Sequence, residues 1–281
     1  ALIPILLTKK KPPNFKKIQA MSLKELYEAS PFGIISSLFY GTIQSALFTL
    51  LAVYATSMNF TILEISIVTF LLAVSGAVAQ FPVGKVSDIY DRRKVIVFST
   101  FGAAIFAIVA IFVSRQMYLP GGLATSKTWF YIFFILFSFC SLPMFSLILA
   151  HTNDFISKDK FVAAGAGLQF AFGLGAMSGP FLCSIFMDLT GPNGFFVFLF
   201  IFHTFIGLFG IYRMKVRKSV DNPDSQFVAM PQTITPAGIE LNPTTEHIEE
   251  PYSEKVKEIL ERKGVKYKKE VDDDKIDEQA Y

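Results

Sequence analysis

Carboxylates are missing from the middle of every long apolar run in this sequence, cysteine occurs only twice, and no catalytic or metal-binding motif can be found. Each absence excludes a class of function. Cys140 and Cys183 lie in separate apolar runs and make neither a disulfide framework nor a zinc pattern; they read as ordinary buried small residues. There is no HExxH, no pair of mid-run aspartates, no serine and histidine constellation and no phosphate-cradling glycine loop, so nothing argues for an intramembrane enzyme. No metal or other cofactor is implied. No basic groove with interleaved stacking aromatics appears, which removes nucleic acid as a partner. Intramembrane acids are the usual proton carriers, and here Glu64 and Asp188 fall at the outer ends of runs while Asp88, Asp91 and Asp154 fall at the inner edge. This segment offers no proton site of its own.

What is present is apolar and aromatic: 52% of 281 residues are hydrophobic and 31 are Phe, with a mean hydropathy of +0.46. That places the chain in the membrane class. A hydrocarbon core about 30 Å thick needs roughly 20 apolar helical residues, and six windows of that kind run from Pro31 to Ser57, Thr61 to Val83, Lys94 to Val113, Thr128 to Ala150, Phe161 to Leu189 and Phe195 to Tyr212. They are continuously apolar, whereas barrel strands would alternate over about 10 residues. The expected fold is therefore an all-α membrane protein.

Lys and Arg accumulate in cytoplasmic loops near helix ends, and their distribution here is lopsided. One side holds Lys9 to Lys11, Lys16, Lys17 and Lys24, then Lys85 and Arg92 to Lys94, then Lys158 and Lys160, then Arg213, Lys215, Arg217 and Lys218; the other holds Arg115 and Lys127. Both termini are expected to be cytoplasmic and the basic edge suits an anionic leaflet of the lipid bilayer. Three regions follow: a basic connector over 1–30, with a short helix around Leu23 to Glu28 capped by Ser22 and Glu25; a six-helix bundle over 31–212; and a cytoplasmic tail over 213–281. The tail after Lys218 has 15 acidic and 8 basic residues, a charge of 8 − 15 = −7, and several prolines in its first half. A short amphipathic helix is expected near 253–263. Ala1 to Leu7 reads like the end of an apolar segment, which makes the chain look like a fragment.

Helices in lipid associate through small residues that let backbones approach. The first span carries Gly33, Ser37, Gly41 and Ser45 at four-residue spacing. The fifth carries Gly165, Gln169, Gly173, Ala176 and Gly179 on one face, and Gly175, Gly179 and Pro180 make a candidate hinge, since proline frees a carbonyl and permits bending. Ser66, Thr69, Ala73, Gly76, Gln80 and Gly84 place the polar atoms of the second span on one side. Tyr40, Gln44, Gln80 and Gln169 are candidates for a substrate cavity, because an amide facing lipid unpaired costs a few kcal/mol. Interhelical hydrogen bonds account equally well for each glutamine alone. His203 reads as a hydrogen-bonded structural histidine, and His151 with Asn153 and Asp154 forms the better functional cluster.

The run Gly84-Lys-Val-Ser-Asp-Ile-Tyr-Asp-Arg-Arg-Lys94 lies between two spans. Its Gly84, Asp88, Arg92 and Arg93 resemble the loop motif of the major facilitator superfamily, G-x-x-x-D-x-x-G-R-[KR], and Gly175 to Pro180 resembles the glycine-proline signature of that family's fifth and eleventh helices. Gln80 to Gly84, Leu142 to Ser146, Ala150 to Asp154 and Phe161 to Ala164 are similar to its YcaD-type branch. Asp91 stands where the motif has glycine, and Ile89 where a basic residue is usual. The resemblance implies the C-terminal half of a carrier, helices seven to twelve of such a fold, whose partner is a missing N-terminal half and whose substrate is a small molecule moved across the cell (inner) membrane by alternating access. A carboxylate and a guanidinium at a helix junction can hold neighbours together in one state and release them in another, so Asp88, Arg92 and Asp154 are expected to form a charge network at the cytoplasmic edge. Basic residues that only mark sidedness are the alternative for the loop, and a non-transporting sensor or scaffold with a regulatory tail is the alternative for the chain.

Overall fold

The computed structural model describes residues 21–117, 126–157 and 160–217. Residues 1–20, the tail beyond Arg217 and the helix expected near 253–263 lie outside the described residues. Among these, eight α-helices follow one another: α1 (Leu23–Ala29), α2 (Pro31–Ser57), α3 (Ile62–Ile89), α4 (Arg92–Gln116), α5 (Ser126–Ser141), α6 (Met144–Asn153), α7 (Phe161–Thr190) and α8 (Gly194–Val216). Six stretches are long and apolar enough to cross a membrane, with α5 and α6 together making the fourth, Lys127–Asn153. Over the described residues the chain is an all-α membrane protein with six spans, as its hydropathy requires.

Two features of the backbone differ from the expectation and both matter for the site. The run around Gly84 is not a loop: α3 continues through Pro82 to Ile89, and only Tyr90 and Asp91 separate it from α4. Gly84 is buried within a helix and Asp88 sits in its last turn. The fourth span is not continuous, because Pro143 lacks the N–H that an unbroken helix needs and the helix stops at Ser141 and restarts at Met144. The interruption lies near mid-span and is held from three sides. Tyr40 Oη on α2 donates to the Leu142 carbonyl at 3.1 Å. A Cβ at Gly76 on α3 would overlap the Leu142 side chain. Ser141 Oγ lies 2.9 Å from His203 Nε2 on α8, while His203 Nδ1 lies 2.7 Å from the Leu199 carbonyl. A carbonyl can only accept, so Nδ1 carries the proton and Nε2 accepts from Ser141. His203 is the fully buried structural residue its isolation implied.

The closest helix pair is α2 with α7. A Cβ on Gly41 would overlap the Phe172 carbonyl, and Cβ atoms on Gly175 and Gly179 would overlap the carbonyls of Leu38 and Thr42. Ser37 Oγ donates to the Leu168 carbonyl at 2.8 Å and Thr42 Oγ1 to that of Gly175 at 3.2 Å. The contact face of α7 is therefore Leu168, Phe172, Gly175 and Gly179. Of the expected face Gly165, Gln169, Gly173, Ala176 and Gly179, Gly179 lies on it, as does the small-residue contact expected at Gly175, while a Cβ on Gly173 meets nothing. Likewise the second span's polar positions divide, with Ser66 and Thr69 exposed and Gly76 and Gly84 buried. Their hydroxyls bond carbonyls four residues back in the same helix, so exposure leaves no orphaned donor. Toward the end of the bundle away from Arg92, Tyr54 stacks on Phe195 at 5.2 Å and meets Phe196 edge-on at 5.0 Å, and Phe196 meets Phe130 at 6.0 Å. This aromatic core joins α2, α5 and α8.

Gly175→Ala and Gly41→Ala should each lower the thermal midpoint of the purified protein, by about 1–3 kcal/mol of overpacking. Gly173→Ala should leave it unchanged or raised, since alanine is the better helix former by up to ~1 kcal/mol. Equal effects at positions 173 and 175 in thermal unfolding would contradict this packing.

Candidate functional site

Arg92 is the first residue of α4, where the helix dipole disfavours a cation, and its side chain is only 2% exposed. Helix propensity does not put it there. Its acceptors come from two other elements. Nη2 donates to Asp88 Oδ1 on α3 at 3.0 Å, and Nη1 donates to the Ala150 carbonyl on α6 at 3.0 Å and to Asp154 Oδ1 immediately beyond α6. Asp154's side chain is 6% exposed and that of Asp88 is 37% exposed. The network thus has a buried arm to α6 and a wetter arm to α3. Removing one partner of a buried pair leaves an uncompensated charge at a cost of about 3–5 kcal/mol; the exposed arm contributes less because water screens it. The structure brings Asp88, Arg92 and Asp154 together.

Asp91, standing where the motif has glycine, caps α4: its Oδ1 accepts from the Arg93 backbone N–H at 3.0 Å. The same carboxylate takes the Arg93 side chain, Nε to Oδ1 at 3.1 Å and Nη2 to Oδ2 at 2.8 Å. Burial pushes the Asp91 carboxyl up, but the bonds and charge from Arg93 outweigh it and hold the group below the usual carboxylate range. Arg93 Nη1 reaches on to the Arg217 carbonyl at 2.6 Å. Arg217 is pulled below the usual guanidinium range by burial and then by its cationic neighbours Arg213 and Arg93.

His151 does not join Arg92. Its buried ring meets Phe32 edge-on at 5.2 Å and Phe155 at 5.0 Å, and it lines a narrow recess with Arg93, Arg213 and Arg217. The two motif arginines therefore face different neighbourhoods, Arg92 with Asp88 and Asp154, and Arg93 with Asp91, the Arg217 carbonyl and the histidine recess.

The four candidate cavity residues sit in different surroundings. Tyr40 is buried and committed to Leu142. Gln44 is buried with neither amide atom partnered, Gln169 is half-buried with its oxygen unpartnered, and Gln80 is half-buried on α3. A cavity of about 670 Å³ lies elsewhere, lined by Ser57, Met58, Phe112, Arg115, Gln116, Pro192 and Asn193. Three elements of the site were not anticipated. The Pro143 break had a signal, a proline inside an apolar run. The seat of Leu142 on Gly76 and the reach of Arg217 had none, since both depend on partners far away in the chain.

Among the described residues, six apolar spans, with a buried ion-pair network at one end that joins three of them, define a multi-pass membrane protein. The chain belongs to the Major Facilitator Superfamily, whose family model matches residues 33–262. Among curated proteins it is similar to an uncharacterized MFS-type transporter of Yersinia enterocolitica, 23% identical over 198 residues, covering 70% of this chain and 47% of that protein. It is also similar to the uncharacterized MFS-type transporter YfkF of Bacillus subtilis, 26% identical over 186 residues, covering 63% and 44%. A third, from Methanocaldococcus jannaschii, is 27% identical over 180 residues, covering 63% and 42%. The chain spans about half the length of the curated relatives it matches. No solved structure matches it significantly.

Because the folded pKa of Asp91 lies below its ordinary value of 3.8, its contribution to stability is present above that value and is lost as pH falls through the folded pKa. Asp91→Asn keeps a good N-cap and removes the charge. The variant should lose less thermal stability than the parent between pH 5 and pH 2.5; identical pH profiles would mean that the Asp91 carboxylate does not favour the folded state.

Proposed function

We propose that this chain is the C-terminal six-helix half of a secondary transporter, of a YcaD-like branch, that moves a small organic solute by alternating access. The Asp88, Arg92 and Asp154 network is the lock that holds its basic end closed. The observation that carries this is Arg92's position: a buried guanidinium at a helix start, bonded to carboxylates from two other spans, is a contact that can be made in one arrangement of helices and unmade in another. Coverage of about half of each relative supports the half-transporter reading, and a six-helix N-terminal half is the expected partner. The excess of Lys and Arg supports a cytoplasmic position for the basic end, both ends of this segment and the acidic tail.

Gln44, with both amide atoms unpartnered, is the proposed centre of the solute path together with Gln80 and Gln169, beside Tyr40 whose phenol is held by the Leu142 carbonyl. Amides of this kind suit a neutral or amphipathic organic molecule. Gly175, Gly179 and Pro180 are the proposed hinge of α7, whose close contact with α2 makes any flexing there a movement of both helices. Coupling to protons, where present, rests with acids of the other half.

In the full transporter, Arg92→Gln should shift cysteine-accessibility labelling of the cavity toward the cytoplasm-open pattern, and Asp154→Asn should do the same. The double variant should fall short of the summed effects, with a coupling of about 0.5–3 kcal/mol. An unchanged labelling pattern accompanied by poor membrane insertion would assign the arginine to sidedness alone. Gln44→Leu should raise the thermal midpoint, because it removes a buried amide whose desolvation costs about 1–3 kcal/mol, while reducing solute uptake. A lowered midpoint would show that the amide is satisfied in the folded protein.

A further inference from the structure

We propose that Arg93 and Arg217 form a clasp that fastens helix α1 to the basic end of the bundle and makes its attachment depend on the Arg92 lock. The inference rests on the gate reading given above. Helix α1 has seven residues, far too few to persist on helical propensity alone. Its N-terminus is closed by a capping box between Ser22 and Glu25, but no basic residue occupies its last turn and Leu26 is its one buried side chain. Leu26 is seated on Gly167 of α7, where a Cβ would lie 2.6 Å from Leu26 Cδ2.

The second point of attachment comes from the far end of the sequence. Arg217 Nη1 donates at 2.6 Å to the carbonyl of Ala29, the last residue of α1. A cation there satisfies an orphan carbonyl and complements the negative end of the helix dipole, a role that α1's own sequence leaves unfilled. The Arg217 guanidinium lies over the Phe155 ring, 4.2 Å from its centroid. Arg217's own carbonyl is fixed by Arg93, and Arg93 is fixed by Asp91. A relay from the cap of α4, through the residue that ends α8, to the last carbonyl of α1 is complete.

Sequence adjacency ties this relay to the lock. Arg93 follows Arg92, and Phe155 follows Asp154. When Arg92 and Asp154 part, the first turn of α4 and the residue beyond α6 separate, and Arg93 and Phe155 are carried with them. Arg217 is then drawn between its carbonyl tether to α4 and its ring contact beyond α6. The cation on α1 is released by the same motion that opens the lock. Arg93 and Arg217 are in this sense positioning residues for the connector helix.

Hydrogen exchange of the amides of residues 22–30, in the full protein reconstituted in lipid, tests this. Arg217→Gln should speed exchange there about tenfold or more, as loss of a charge-assisted bond implies, and Arg217→Lys should restore part of the protection. Arg92→Gln should also speed exchange in the parent but add nothing in the Arg217→Gln background. Exchange in α1 that ignores Arg217→Gln, or effects of the two substitutions that simply add, would overturn the clasp. Phe155→Leu, which leaves every relay hydrogen bond in place, gives the same comparison should Arg217→Gln fail to fold. Labelling of the cavity in the same Arg92→Gln sample separates the two ideas: a shifted pattern with a silent α1 sinks the clasp and leaves the lock standing.

Discussion

A guanidinium cannot be neutralised at accessible pH, so once Arg92 is buried the chain around it must supply acceptors. Three are supplied, Asp88 from α3, Asp154 from beyond α6 and the Ala150 carbonyl from within α6. Every other feature of the basic end serves to bring those oxygens to one point. The short Tyr90 and Asp91 connection puts Asp88 and Arg92 one helix-end apart, and Asp91 starts α4 by capping it. Had α3 ended at Gly84, with a flexible loop to follow, Asp88 would be one exposed carboxylate among several and Arg92 would have no fixed geometry to meet.

The third acceptor depends on an interruption elsewhere. Because Pro143 ends α5, α6 is a separate ten-residue rod whose direction is set by its own contacts rather than by the helix before it. Tyr40, Gly76 and the Ser141 and His203 pair hold the junction, and the far end of the rod carries Ala150 and Asp154. A break near mid-span frees backbone polar groups in a place where lipid offers no partners. The phenol of Tyr40 meets the Leu142 carbonyl, which explains why a residue with the chemistry of a cavity wall is instead wholly buried. Energy spent on satisfying the junction is what lets the short rod aim its carboxylate at Arg92.

The number of spans, the helical class and the charge trio were legible in the sequence because each depends on local pattern: long apolar runs, paired small residues, a carboxylate and an arginine close in sequence. Asp154 was within reach of the same reasoning, since it falls at the same membrane depth as Asp88. What the pattern did not contain was rotation about helix axes. The α7 face was read from Gly165, Gln169, Gly173, Ala176 and Gly179; α2 packs on Gly179 but otherwise on Leu168, Phe172 and Gly175. A glycine every few residues permits close approach on more than one face, and only the partner's carbonyls decide which face is used. The different surroundings of Tyr40, Gln44, Gln80 and Gln169 have the same origin: residue type announced polarity, and helix rotation decided which side chain meets a carbonyl and which meets nothing.

Adjacent arginines at a helix start are an expensive arrangement, since both oppose the dipole and repel each other. The structure resolves the conflict by sending them to opposite sides. Arg92 turns toward α3 and α6, where carboxylates from two spans meet it; Arg93 turns toward α8, where its charge is matched by Asp91 within its own cap. A lysine at either position would supply a charge but not the planar fork that Arg93 uses to hold Asp91 and the Arg217 carbonyl together. The doubled cation therefore does two jobs that one cannot. One arginine ties spans to each other across the bundle, and the other ties the bundle's last helix to the turn where the first is anchored, so that neither tie can be loosened without loading its neighbour.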